Sequence, residues 1–173
     1  LQLPYYGYQH VDMVTDHGDR CGGHYGQWFR QQVPNWRELH DPANELPHGY
    51  VCPQAYRTPV PESLYPTAYV KDRTIDYLKS RTNDEQPFFT FVSFPDPHHP
   101  FNPPGKYWKL YQPDDFSVPL PYEAHRNPTP PMRFVHDAWK SNAEQISPQT
   151  ATMATEQNLK EAMALSAGMI GMI

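Results

Sequence analysis

The chain has 173 residues, a formal net charge of −5 at pH 7 and 21 prolines, and 14% of its residues are aromatic. Lysine and arginine are scattered along it, which excludes the basic patch of a nucleic-acid-binding surface, and no apolar run approaches the roughly 20 residues of a membrane span. Because disordered chains are poor in aromatic residues, this composition predicts long ordered loops laid over a core.

Both ends of the sequence predict an internal fragment of a larger protein. Leu1 opens the chain without a methionine, inside the aromatic stretch LQLPYYGY, and the chain stops in the apolar run LSAGMIGMI without a polar cap. We therefore expect residues 1–173 to be part of one catalytic domain, truncated at both ends. Cys21 and Cys52 are the two cysteines, and their spacing predicts free thiols while leaving the compartment open.

The first half of the chain is predicted to be loop followed by helix. Residues 1–60 are loop-rich, with one short strand predicted at 10–14, where Val11 and Met13 alternate with polar neighbours. The next segment, PESLYPTAYVKDRTIDYLKSR at 61–81, is typical of an amphipathic helix of about four turns. Pro66 suits the first turn of that helix, and the apolar residues after it recur near helical spacing.

A buried strand is predicted after this helix. Residues 88–94, FFTFVSF, are continuous, aromatic and β-branched, and Pro87 and Pro95 bound them. That pattern is typical of a strand covered on both faces by helices, so the two elements indicate an α/β unit. Prolines make residues 103–148 loop-rich, and the composition from Gln149 to the end predicts a helix.

The loop after the predicted strand carries the strongest candidate site residues, in the run Asp96-Pro97-His98-His99-Pro100. In open α/β sheets, ligands bind outside the carboxyl ends of the strands. The prolines predict a rigid extended loop whose adjacent side chains point to opposite sides, so only one of the two histidines would face a pocket. That histidine can donate to a developing negative charge or protonate a leaving group; a histidine bonded to the backbone is the simpler alternative.

The stretch PFFTFVSFPDPHHPFNPPGKYWKLYQPDDFSVPLP resembles the central segment of type I sulfatases, in the alkaline-phosphatase superfamily. In that family a buried strand ends in a His-x-Pro element, followed by a proline-rich loop and a Pro-Leu-Pro stretch, which correspond here to residues 98–100, 104–113 and 119–121. The final EAMALSAGMIGMI is similar to a family helix, and the likeness is weaker over residues 1–60. The resemblance implies a partial three-layer α/β/α fold with long proline-rich loops.

The resemblance also implies a sulfuric ester hydrolase acting on small-molecule or glycan sulfate esters. In such sulfatases a cysteine or serine of a C/S-x-P-x-R motif becomes formylglycine, whose hydrate attacks sulfur. A divalent cation, usually calcium, is held there by carboxylates. The histidine of the His-x-Pro element belongs to the sulfate pocket; it carries over onto His98, with His99 as the alternative.

The formylglycine motif and most of the calcium ligands of such sulfatases have no counterpart in this sequence. No C/S-x-P-x-R motif occurs, because residues 52–57, CPQAYR, have similar letters in a different order. We expect the formylglycine and most calcium ligands to lie outside the fragment, which alone should be inactive. The alternatives are a phosphonate monoester or phosphodiester hydrolase of the same superfamily and a non-catalytic carbohydrate-binding module.

The run Asp16-His17-Gly18-Asp19 copies the letters of the sulfatase metal element, Asp-His-Gly or Asp-Asn-Gly. In the family that element follows the His-x-Pro strand, whereas here it precedes it. We therefore expect Asp16 and Asp19 to cap turns, with the glycines supplying flexible backbone. Asp16 and His17 remain as candidate metal ligands within the sequence.

Overall fold

A computed structural model describes residues 2–82, 86–118, 124–140 and 155–173. Its α-helices are α1 Gly23–Gln32, α2 Trp36–Leu39, α3 Pro66–Ser80, α4 Pro130–Lys140 and α5 Glu156–Ile170. Short 3₁₀ helices lie at Gly18–Arg20, Pro42–Asn44, Glu62–Leu64, Gly105–Lys109 and Pro113–Asp115. Within these ranges β pairing is limited to two isolated bridges, so the predicted three-layer α/β/α fold is not shown.

Helix α1 lies in a region that was predicted to be loop. Its Tyr25 and Phe29 are fully buried, with exposures of 0% and 1%, and they form a core cluster with Tyr69 of α3. The rings of Tyr25 and Tyr69 meet edge to face with centroids 5.6 Å apart, a favourable aromatic geometry. Burial of this aromatic face stabilises a helix whose two glycines would otherwise disfavour it.

Helix α3 confirms the helix predicted between residues 61 and 81. Pro66 occupies its first turn, where a missing backbone N–H costs nothing, and Tyr65 is the N-cap. Tyr65 is itself buried, with an exposure of 1%. The start of α3 therefore places a phenol hydroxyl inside the protein, next to the segment that carries the candidate histidines.

The predicted buried strand at residues 88–94 is wrong in the described structure. The segment forms no strand, and Phe89 and Phe91 are 75% and 70% exposed. A strand requires backbone partners as well as apolar side chains, and no described strand lies beside this segment. Residues 10–14, also predicted as a strand, form no regular structure.

In the second half of the chain the described residues include the α-helices α4 and α5, of which α4 was not predicted. Pro130 and Pro131 were expected to block regular structure, but they form the first turn of α4, where proline is tolerated. Helix α5 confirms the predicted C-terminal helix from Glu156, while residues 149–154 lie outside the described residues. No helix in the described ranges is long and apolar enough to span a membrane.

Helix α5 is attached to the rest of the chain through a buried carboxylate. Glu161 is 2% exposed, and its Oε2 accepts hydrogen bonds from the backbone N–H groups of Val51 (2.8 Å) and Cys52 (2.7 Å). Gly168 lies so close to the 3₁₀ helix Gly105–Lys109 that a Cβ on Gly168 would be 2.5 Å from the Tyr107 carbonyl oxygen. These contacts tie residues 50–52 and 103–110 to one face of α5.

Candidate functional site

Three histidines from two distant parts of the sequence form one cluster. The imidazoles of His17 and His98 stack nearly parallel, with centroids 3.5 Å apart and an interplanar angle of 14°. The His99 ring lies across them, with its centroid 4.1 Å from that of His98 and 6.4 Å from that of His17. His17 and His98 are exposed and His99 is half-buried, so the cluster faces solvent.

The loop that carries His98 and His99 is a turn. Its first backbone hydrogen bond runs from the His98 N–H to the Pro95 carbonyl (3.2 Å). In an extended segment adjacent side chains point apart, but in a turn they can converge. The expectation that only one histidine would face the site is therefore wrong, since both rings belong to the same cluster.

One hydrogen bond defines the tautomer of His98. Its Nδ1 lies 2.6 Å from the backbone carbonyl oxygen of His99. A carbonyl oxygen can only accept, so Nδ1 carries the hydrogen and donates it. In the neutral ring, Nε2 then holds the lone pair. Nε2 is the atom of His98 that can take up a proton and pass it on.

The run at residues 16–19 forms a tight turn beside this histidine loop. Asp16 and Gly18 both have a φ of 64°, and the Cys21 thiol donates to the Gly18 carbonyl (3.1 Å). A Cβ on Gly18 would lie 2.9 Å from the Pro100 Cγ and 3.0 Å from the Asn102 Nδ2. Glycine is therefore required at 18 both for its left-handed backbone and for the close approach of the two loops.

A buried network of polar side chains lies beneath the cluster and joins the two loops. The Asn102 amide donates to Asp19 Oδ1 (2.9 Å), and the Thr58 hydroxyl donates to Asp19 Oδ2 (2.6 Å). The Tyr65 hydroxyl donates to Asn102 Oδ1 (2.8 Å), and Asp19 and Asn102 are 2% and 0% exposed. Asp19 was predicted to cap a turn; instead it anchors the turn to the histidine loop.

Asp96 is a second buried carboxyl group in this network. It accepts a hydrogen bond from the Thr67 hydroxyl, and its Oδ1 lies 3.4 Å from the Tyr65 hydroxyl. Desolvation raises the pKa of Asp96 to about 6, although both hydroxyl groups oppose the shift, and desolvation also raises the pKa of Asp19. Burial, followed by the neighbouring imidazoles of His98 and His17, lowers the pKa of His99.

The raised pKa of Asp96 predicts that the folded chain loses stability as pH increases from about 4 to about 6. In this window the folded protein holds a proton that the unfolded chain has released, so the proton-linked stabilisation is present at low pH and lost above pH 6. The shift corresponds to about 3 kcal/mol. Urea denaturation of the 173-residue chain at pH 4, 5, 6 and 7 measures it.

Two variants separate this effect from the general acid response of the protein. Asp96→Asn cannot ionise, so its free energy of unfolding should fall much less between pH 4 and 6. Asp72→Asn removes a carboxylate whose side chain is 52% exposed, and it should follow the parent curve. Parallel curves for the parent and Asp96→Asn would contradict the assignment.

The other candidate site residues do not form a metal centre in the described ranges. No group of three or more His, Cys, Asp or Glu side chains arranged to hold a metal ion occurs there. Asp16 is exposed, and the ring of His17 stacks on His98. Cys21 and Cys52 are buried thiols that form no disulfide, as expected. Burial and nearby carboxylates raise the pKa of the Cys21 thiol to about 12, which suits a packing role.

One curated relative connects the chain to a known class of enzyme. Over 96 residues the chain is 33% identical to a protein named arylsulfatase from Clostridium perfringens (strain 13 / Type A). The matched stretch is 56% of this chain and 19% of that protein, so it spans about a fifth of the relative's length. No protein-family model matches the chain, and no solved structure matches it. The identity supports a relationship to sulfatases.

Proposed function

We propose that this chain is a segment of the catalytic domain of a sulfuric ester hydrolase. The observation that carries the proposal is its 33% identity over 96 residues to the protein named arylsulfatase. A solvent-facing cluster of three imidazoles, supported by a buried polar network, adds a chemically suitable site. Because the match spans 19% of that relative, the reaction itself is proposed for the polypeptide from the complete gene.

In this proposal His98 is the catalytic residue of the segment. Its Nδ1–H is held by the His99 carbonyl, which leaves Nε2 to exchange protons with a substrate. Sulfate ester cleavage releases an alkoxide, which needs a proton, or a less basic phenoxide, and it builds charge on the sulfate oxygens. A protonated Nε2 can supply either need, by general acid catalysis or by charge stabilisation.

The described residues do not themselves fit a calcium site. Calcium takes six to eight oxygen ligands, whereas both carboxylate oxygens of Asp19 already accept hydrogen bonds inside the protein. Asp96 is buried, and its two carboxyl oxygens already face the Tyr65 and Thr67 hydroxyls. We place the calcium ligands and the formylglycine in parts of the polypeptide other than the described residues, and no step of His98 depends on them.

The function is tested on the polypeptide from the complete gene, produced in a host that generates formylglycine. We expect hydrolysis of an aryl sulfate, lost on chelation and restored by calcium. Aryl phosphonate monoesters and phosphodiesters are assayed beside it at equal concentration. Faster turnover of a phosphonate or diester would replace the sulfatase assignment by the related phosphorus hydrolase. Glycan binding without turnover or metal would favour a carbohydrate-binding module.

A further inference from the structure

The turn at residues 15–21 has a role that the buried network alone does not explain. Asp19 anchors the turn, but His17, two residues earlier, is exposed and makes no contribution to the apolar core. Its ring nevertheless lies flat on the ring of His98 at a centroid distance of 3.5 Å. Two exposed imidazoles in face-to-face contact are not what hydrophobic burial alone produces.

The stack on His17 restricts the rotation of the His98 ring about its bond to Cβ. The hydrogen bond to the His99 carbonyl controls this rotation only weakly. The torsion between Cβ and the imidazole ring has a broad, roughly two-fold energy profile, so a histidine ring at a protein surface turns easily. The Nδ1 bond to the His99 carbonyl selects the tautomer, and a flat ring against one face selects the ring plane. Together the two contacts determine the direction of Nε2.

The position of His17 is itself well determined. Asp19 is held from two sides, by Asn102 at 2.9 Å and Thr58 at 2.6 Å. Gly18 approaches Pro100 so closely that only a glycine fits. The turn and the histidine loop therefore pack as one unit, in which the His17 ring is held in place against the ring of His98.

We propose that His17 is a positioning residue for His98, and that its ring orients the His98 imidazole so that Nε2 is presented to the substrate. The catalytic consequence rests on the proposed sulfatase function, while the orientation of His98 does not. His17 acts through His98 and needs no contact with the substrate. A planar ring at position 17 is sufficient for this role, whatever its hydrogen-bonding capacity.

The first arm of the test measures His98 directly in the 173-residue chain. Nitrogen-15 NMR of the histidine rings distinguishes the Nδ1–H tautomer from an average of the two tautomers. We expect His17→Ala and His17→Leu to move the His98 signals toward the average, because without a flat ring at position 17 the His98 imidazole can turn away from the His99 carbonyl and lose the bond that selects its tautomer. His17→Phe keeps a planar ring and should retain the parent pattern. His10→Ala removes an imidazole that stacks on Tyr77 instead, and should leave His98 unchanged.

The second arm measures kinetics in the polypeptide from the complete gene. We expect His17→Ala and His17→Leu to lower kcat roughly tenfold to a hundredfold with little change in KM, since misplaced catalytic groups cost rates of this order. His17→Phe should restore most of kcat. The leucine variant preserves side-chain bulk in the turn, so it covers the case in which the alanine variant does not fold.

The two arms separate failure of this inference from failure of the proposed function. An unchanged His98 spectrum in folded His17→Leu would overturn the positioning role. A low kcat in His17→Phe, with the parent spectrum retained, would overturn the idea that a planar ring suffices. If the spectrum responds but no substrate of the panel is hydrolysed, the positioning role is supported and the sulfatase assignment fails.

Discussion

Replacing Asn102 by alanine should lower the free energy of unfolding by about 3 kcal/mol. Asn102 is completely buried, and its amide donates to Asp19 while its oxygen accepts from Tyr65. Removing it leaves both partners inside the protein without that bond, and each unsatisfied buried group costs about 1–3 kcal/mol. Urea denaturation of the 173-residue chain at a fixed pH measures the change.

A surface asparagine and a double-mutant cycle provide the controls. Asn44 is exposed, with one hydrogen bond from its side chain to the Glu38 carbonyl, so Asn44→Ala should cost less than about 1 kcal/mol. In an Asp19→Ala background, Asn102→Ala should cost less than in the parent, because one of its two partners is already gone. Equal costs at positions 44 and 102 would contradict the buried network.

Local sequence patterns predicted a helix correctly where the helix propensity of the segment and its packing favour the same structure. Pro66 at the first turn and the periodic apolar residues after it specified α3, and the alanine- and methionine-rich end specified α5. Helix α1 escaped prediction because its glycines oppose helix formation locally. The pair Tyr25 and Phe29, four residues apart, was the helical pattern that the prediction missed. Burial of these rings with Tyr69 outweighs the weak helix propensity of the segment.

The segment at residues 88–94 shows what an apolar pattern does not specify. FFTFVSF indicates side chains that favour burial, but a strand also needs neighbouring backbone to pair with, and that partner is not encoded in the segment itself. Within the described residues the segment pairs with no strand, and most of its side chains are exposed. An α/β architecture depends on strand partners that the local sequence does not identify.

The candidate site was predictable in part. The Asp-Pro-His-His-Pro run identified His98 and His99 as candidates, and the resemblance to sulfatases gave His98 a proposed role. Their contact with His17 was not predictable, because residues 16–19 and 96–100 are far apart in the sequence. No local sequence pattern indicates that two such segments stack on each other. Asn102 and Thr58 carry no sequence signature either; burial alone makes their hydrogen bonds important.

Replacing His98 by alanine in the polypeptide from the complete gene should have the largest effect on activity. Loss of a general acid lowers kcat by roughly 10²–10⁴-fold. His99→Ala should cost less, because the hydrogen bond that selects the tautomer of His98 runs to the backbone carbonyl of His99, which alanine retains. Steady-state kinetics with an alkyl sulfate, whose alkoxide needs a proton, compares the two variants, and His10→Ala, outside the cluster, is the matched control. A greater loss in His99→Ala would transfer the catalytic role to His99.

The choice of leaving group distinguishes the two catalytic roles open to His98, protonation of the departing oxygen and stabilisation of charge on the sulfate oxygens. If Nε2 protonates the departing oxygen, the loss in His98→Ala should be small for a nitrophenyl sulfate, whose phenoxide needs no proton, and larger for an alkyl sulfate, whose alkoxide does. If His98 stabilises charge on the sulfate oxygens, the loss should be similar for both substrates, because those oxygens are common to them. A plot of kcat/KM against the pKa of the leaving alcohol separates these cases: protonation predicts a steeper dependence in the variant than in the parent, and charge stabilisation predicts parallel lines.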